Sequence, residues 1–310
     1  MTAVDADGGR PGAVRVAAPT ERTNPRSADL DLMPTPDVLR IINEADHEVP
    51  DAVAAVGDRV AAAVELAVAA LRAGHRVHYF GAGTSGRIGV LDAAELPPTF
   101  SAPDEWFCAH LAGGAEAMWR AIEDAEDDPA AGAAEAASCV EAGDVVVGLA
   151  ASGRTPYVLG ALAESTTRRA RTILIAADPG AAAAAAVDVF VGVDTGPEVV
   201  TGSTRMKAAS AQKLVLNAFS TAVMVRLGRV YSNLMVEMVA TNAKLRGRMI
   251  SVLVEATGCA EADAQRVLSA ADGSLKTALV ALVAGAGVGE ARDALARSDD
   301  QVRGALALLT

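Results

Sequence analysis

Aromatic side chains make up only 3% of the 310 residues, which excludes a core built on large rings. Small aliphatic residues, Ala and Val above all, fill the chain instead and favour helices lying close on a sheet. Cysteine is nearly absent. Cys108, Cys139 and Cys259 are odd in number, far apart and without Cys-x-x-Cys spacing, against a disulfide framework or a thiolate metal site. Positive charge is also short: a net charge of −12 with no Lys/Arg cluster excludes nucleic acid as the main partner. The longer apolar runs are broken by Glu65, Arg154 or Asp188 before membrane-spanning length, and no N-terminal segment resembles a signal peptide. A reducing, cytoplasmic location without a membrane partner is expected. No G-x-S-x-G, H-E-x-x-H or G-x-x-x-x-G-K-[ST] occurs. His47, His75, His78 and His110 are scattered, without metal-ligand spacing or an evident carboxylate partner in sequence, so each reads as structural or exposed.

What is present is alternation. After a stretch over 1–19 that reads as a loose tail, "PTPDVLRIINEAD" predicts a helix with Thr35 as N-cap and Pro36 in its first position. "DAVAAVGDRVAAAVELAVAALRAG" reads as one long helix closed by Gly74. The apolar runs "RVHYFGAG", "WFCAHLAGG", "DVVVGLAA", "RTILIAAD" and "VDVFVGVD" then alternate with Ala-rich helical patterns, implying a parallel sheet covered on both faces. A long helix from the Ser/Thr/Gly cluster at Gly202 to Gly228 follows, and beyond about residue 250 only short helices punctuated by Gly. The expected organisation is a tail over 1–19, an α/β domain with an N-terminal helical extension over 20–248, and a helical C-terminal domain over 249–310.

"YFGAGTSGRIGVLDAAELPP" holds a literal G-x-G-x-x-G at Gly81, Gly83 and Gly86. A dinucleotide site would also need an acid at the tip of the second strand, which ends in Gly113 and Gly114 instead. Three turns share the order Ser, any residue, Arg: "TSGR" with Gly83, Thr84, Ser85 and Arg87; "ASGRT" with Ser152, Arg154 and Thr155; and "GSTR" with Ser203 and Thr204, two residues before Lys207. Hydroxyls and helix N-terminal amides at one edge of a sheet suit a small phosphate ester. The same hydroxyls serve equally as ordinary helix caps, and the Arg and Lys residues as surface charges. Without a cofactor, carboxylates remain for proton transfer. Glu95 precedes Pro97-Pro98, which should end its helix, and Glu126 lies in "IEDAEDDP", where acids crowd what reads as a helix end before Pro129, against the dipole. Each is otherwise a surface acid.

"YFGAGTSGRIGVLDAAELPPTF", "GLAASGRTPYV", "EVVTGSTRMKAASAQKLVLN" and "NLMVEMVATNAKL", with "TERTNPRSADLD" and "IINEAD", resemble the N-acetylmuramic acid 6-phosphate etherases and their relative, the glucokinase regulatory protein, from about residue 20 to the C-terminus. Leu96 and Pro34 depart from that family's usual Cys and Ser. The resemblance implies a sugar-isomerase fold, a flavodoxin-like three-layer sandwich, with a ubiquitin-associated-like helical appendage. It implies a homodimer without metal or nucleotide cofactor, paired through the Thr20-Glu21 segment and the helix from Gly202. It implies cleavage of the D-lactyl ether of the 6-phosphorylated sugar, with Glu95 and Glu126 as the catalytic acids. An ether oxygen leaves poorly until protonated, and C2–H is acidic only beside an open-chain aldehyde, so one glutamate serves the lactyl oxygen and the other C2. A phosphosugar isomerase and a non-catalytic phosphosugar-binding regulator are the rival readings.

Overall fold

A computed structural model describes residues 18–238 and 243–309. The expected tail lies outside these up to residue 17, while Ala18 is fully buried and Pro19 opens a short 3-10 turn. The middle of "NLMVEMVATNAKL" also falls outside them. Helices α1 (Thr35–Asp46), α2 (Glu48–Ala54) and α3 (Gly57–Arg72) come first. Thr35 lies inside the first turn of α1 and the uncapping Pro34 holds the N-cap position. The single long helix expected after them is two, α2 and α3, because the chain breaks at Ala55-Val56 ahead of Gly57, while Gly74 (φ +83°) does follow the end of α3.

The central sheet comprises β1 (Val77–Gly81), β2 (Phe107–Leu111), β3 (Val145–Leu149), β4 (Arg171–Ala176) and β5 (Val189–Gly192), all parallel, in the order β2-β1-β3-β4-β5. Strands β1 and β3 are buried along their whole length, which is why they read as unbroken apolar runs. Helix α4 (Gly83–Phe100) follows β1, α5 (Pro129–Cys139) precedes β3, α6 (Pro156–Thr167) follows β3, and α7 (Lys207–Arg226) follows β5. One face of the sheet packs Tyr79, Val147 and Ile173 under α3, α4 and α7; the other packs Phe80, Val146 and Leu174 under α5 and α6. The result is the expected three-layer sandwich. In this strand order the direction of winding reverses between β1 and β3, so the crevice at their carboxyl ends is where a ligand fits.

Three expectations about helix ends are corrected. Helix α4 continues through Pro97 and Pro98 to Phe100 and ends at Ser101 (φ +49°). Burial of Leu96 and Phe100 contributes about 3–6 kcal/mol together, of the same order as the disruption two prolines cause near a helix terminus. Helix α7 begins at Lys207 rather than at the Ser/Thr/Gly cluster, and its first amides are capped by Glu198, whose carboxylate accepts from the N–H groups of Lys207 (2.9 Å) and Ala208 (3.0 Å). The acidic run at 123–128 stands at the start of α5, not at a helix end. Asp128 caps that start by accepting from the Ala131 N–H at 2.9 Å, so the dipole favours these acids rather than opposing them.

After α7 a two-stranded hairpin, β6 (Val230–Tyr231) and β7 (Leu234–Met235), leads to α8 (Ala243–Thr257), α9 (Glu261–Ala270), α10 (Leu275–Ala284), α11 (Val288–Arg297) and α12 (Val302–Leu309). Leu253, Leu279, Ala294 and Val302 form a separate apolar cluster that also takes in Val236 and Met238, so this cluster starts before residue 249. Lys276, only 3% exposed, is held by the carboxylates of Glu237 and Asp300. No helix among the described residues is long and apolar enough to cross a membrane.

Candidate active site

The glycines after β1 set the site. A Cβ on Gly81 would stand 2.6 Å from the Gly86 Cα, so α4 starts hard against the strand only because both are glycine. Gly83 has φ +53°, which turns the chain into the helix. Ala82 at the N-cap brings no side-chain cap to the first amides of α4. After β3, Gly153 (φ +67°) turns the chain in the same way, and Pro156 opens α6 behind an N-cap, Thr155, that makes no side-chain cap bond either.

These turns and the α7 approach meet in one cleft of about 490 Å³. Gly83, Thr84 and Ser85 line it from the first turn, Ser152, Arg154 and Thr155 from the second, and Thr204 from the third, and Glu21 and Glu126 also form part of its wall. An adjoining cavity of about 370 Å³ shares Gly83 and Glu126 and extends past Arg87 and Arg120. The cleft can therefore present hydroxyls and two helix N-termini to an anion, beside the carboxylates of Glu21, Glu126 and Asp127.

Other expected site residues are placed differently. Arg87 does not reach into the hydroxyl cleft; its Nε donates to the carbonyls of Ala117 (2.9 Å) and Met118 (3.2 Å) and its Nη2 to that of Arg120 (3.0 Å). Arg154, though part of the cleft wall, also stands 3.4 Å from the buried Asp178 carboxylate. Ser203 belongs to the tight turn before α7, donating its N–H to Val200 O (2.9 Å), and is not part of the cleft wall. Lys207 is 1% exposed, with Nζ 3.5 Å from Glu48. Glu95 is exposed on α4, ten residues beyond Ser85 and thus about 15 Å further along the helix axis, and lines neither cavity. One chain alone does not bring Glu95 to Glu126.

Beside Glu95, one turn back, Asp92 is buried between Tyr79 Oη, which donates to it at 2.9 Å, and Ser220 Oγ, which donates at 3.1 Å. Burial pushes the Asp92 carboxyl up to about 6, partly offset by those two hydrogen bonds and Lys213, with Glu95 adding to the rise. Burial likewise raises Glu198 above the usual carboxylate range, against its bonds to the α7 amides.

Sequence reasoning missed Glu21 as part of the cleft wall and the partners of two histidines. His78 and His110 do have carboxylate partners: His78 Nε2 lies 3.2 Å from Asp144 and His110 Nδ1 lies 3.2 Å from Glu135. Burial opposes charging His110, yet the hydrogen bonds to Cys139 and Glu135 outweigh it and lift the ring to about 9. The spacing that would have revealed this is the alternation on neighbouring strands: His78 faces Cys108 in register and Phe80 faces His110, so both rings come from one side of the sheet.

A parallel sheet in the order 2-1-3-4-5, with glycine-led helix starts converging at its switch point, defines an α/β domain of the sugar-isomerase type. Residues 59–166 match the glucokinase regulatory protein N-terminal SIS domain. A phosphoheptose isomerase from Francisella tularensis shares the fold with a TM-score of 0.50 at 18% identity, over 62% of this chain and 100% of that one. The N-acetylmuramic acid 6-phosphate etherase of Thermobifida fusca is 58% identical over 268 residues, 86% of this chain and 88% of that protein. That of Cutibacterium acnes is 50% identical over 288 residues, 92% and 94% of the respective chains. The chain belongs to the N-acetylmuramic acid 6-phosphate etherase family.

Proposed function

We propose that this protein is a cytoplasmic carbon–oxygen lyase that cleaves the D-lactyl ether of N-acetylmuramic acid 6-phosphate, giving N-acetylglucosamine 6-phosphate and D-lactate. The observation that carries this reading is the shared cleft: hydroxyls from three turns and Glu126 line one space large enough for a sugar phosphate. The phosphate rests against Thr84, Ser85, Ser152, Thr155 and Thr204, with the helix dipoles of α4 and α6 favouring its charge. Arg154 adds positive charge at the rim, while Ser203 and Lys207 support the third turn and the start of α7.

With the sugar open, Glu126 removes the C2 proton, the C3–O bond breaks with its electron pair leaving on the lactyl oxygen, and a proton from Glu95 completes D-lactate. Water then adds at C3 of the unsaturated aldehyde, returning a hydroxyl there and a hydrogen at C2. Each positioned acid or base contributes about 100- to 10,000-fold. The exposure of Glu95 away from its own cleft favours a homodimer in which each copy supplies this acid to the other's site.

The test is a coupled D-lactate assay on the purified chain with the 6-phosphorylated muramic sugar. Stoichiometric lactate and N-acetylglucosamine 6-phosphate support the reading. Exchange of the C2 proton of fructose 6-phosphate without any lactate would make the protein an isomerase instead, and tight sugar phosphate binding with no turnover would make it a regulator.

A further inference from the structure

A second cluster lies on the sheet face opposite α4, away from the cleft. His78 on β1, His110 on β2 and Cys139 at the end of α5 bring one ligand atom each within 4.8 Å of one another. His78 Nδ1 lies 3.0 Å from His110 Nε2, and Cys139 Sγ lies 3.7 Å from His110 Nε2. A tetrahedral ion with bonds of about 2.0–2.1 Å to nitrogen and about 2.3 Å to sulfur has edges of about 3.3 Å between nitrogens and about 3.6 Å between nitrogen and sulfur. The two edges that meet at His110 Nε2 are already close to that size.

The ring atoms that do not face the triangle are fixed. His78 Nε2 meets Asp144 Oδ2 at 3.2 Å, and that carboxylate is itself held by the N–H groups of Arg76 (2.9 Å) and Glu141 (2.7 Å). His110 Nδ1 meets Glu135 Oε1 at 3.2 Å, and Tyr157 Oη donates to the other oxygen of Glu135 at 2.6 Å. With Asp144 and Glu135 accepting from the outer ring N–H groups, His78 Nδ1 and His110 Nε2 face each other across 3.0 Å, so one proton or one metal ion can be shared between them. Carboxylates behind both histidines are the usual outer support of imidazole–metal sites. His78 and Asp144 are buried, whereas His110 and Cys139 are only partly covered, which leaves a route in.

We infer that His78, His110 and Cys139 form a binding site for a thiophilic divalent cation of the zinc class, with water as the fourth ligand. Two imidazoles and a thiolate select such ions over magnesium or calcium. The ion ties the C-terminus of α5 to the β1–β2 pair, at the far end of the helix whose other end follows Glu126. It is a structural staple, and it stands independently of the etherase reading.

The full chain, reduced with a phosphine and stripped with a chelator, is titrated with Co²⁺ as the probe. The expected result is a sulfur-to-cobalt charge-transfer band with tetrahedral ligand-field bands, saturating at one ion per chain and abolished by one equivalent of Zn²⁺. Cys139→Ala removes the sulfur band, and Cys139→Ser does so too with less disturbance of α5, whereas Cys259→Ala keeps it. Glu135→Gln weakens Zn²⁺ about 10- to 100-fold. Absence of a saturable sulfur band, its survival in Cys139→Ser, or unchanged Zn²⁺ affinity in Glu135→Gln overturns the site and leaves a proton as the only cation between the rings.

Discussion

At the scale of single residues, the cleft separates groups that face it from groups that support it. Glu126→Gln is expected to lower kcat by at least about 100-fold with little change in sugar phosphate binding, measured by D-lactate release and calorimetry. Asp92 gives a pH signature. Its folded value of about 6 lies above the ordinary 3.8, so its contribution to stability is full below the ordinary value and is lost as pH rises through about 6. Asp92→Asn is therefore expected to be stabilised relative to the parent by up to about 3 kcal/mol at about pH 7, with the gain vanishing toward about pH 4. Urea unfolding at both pH values measures it, and equal differences at the two would remove burial as the cause. The hydroxyl turns were legible because glycine and hydroxyl residues beside a strand end are local signals. Arg87 and Lys207 were not, because the Ala117 carbonyl and Glu48 that hold them come from distant parts of the chain.

Among elements, α5 and α6 lie close enough that glycine is required at both contact points. A Cβ on Gly132 would collide with the backbone oxygen of Tyr157, and one on Gly160 with that of Pro129. Backbone cannot swing aside as a side chain can, so Gly132→Ala should cost about 1–3 kcal/mol or more by thermal or urea unfolding. In α8, Gly247 has open space around its missing Cβ, and Gly247→Ala should instead stabilise by up to about 1 kcal/mol. Composition predicted close packing but not which glycines carry it. The helix limits show the same division. Pro97 and Pro98 look like stops until Leu96 and Phe100 are seen buried on either side of them, and the acids before Pro129 read as an ending until Asp128 proves to begin α5.

For the whole molecule, alternation of apolar runs with Ala-rich stretches made the α/β class readable, because buried parallel strands are continuous in hydrophobicity. The order 2-1-3-4-5 leaves no local trace, and it is this order that puts the first and second hydroxyl turns side by side. The position of Glu95 leads to a test of assembly. If each site draws Glu95 from one copy and Glu126 from the other, mixing inactive Glu95→Gln and Glu126→Gln chains after exchange of subunits should restore about a quarter of the parent activity, since half the dimers are mixed and one of their two sites is intact. Sites confined to one chain would restore none.

Arg87 clasps the backbone midway along the stretch from Ala112 to Asp128. A tether pinned at its middle explores far less volume than one fastened only at its ends, so the reach left to Glu126 is that of the short span beyond the clasp. Arg87→Ala would dilute this carboxylate at the mouth of the cleft: turnover should fall while the sugar phosphate still binds, and the general base would act at a lower effective concentration rather than with altered chemistry.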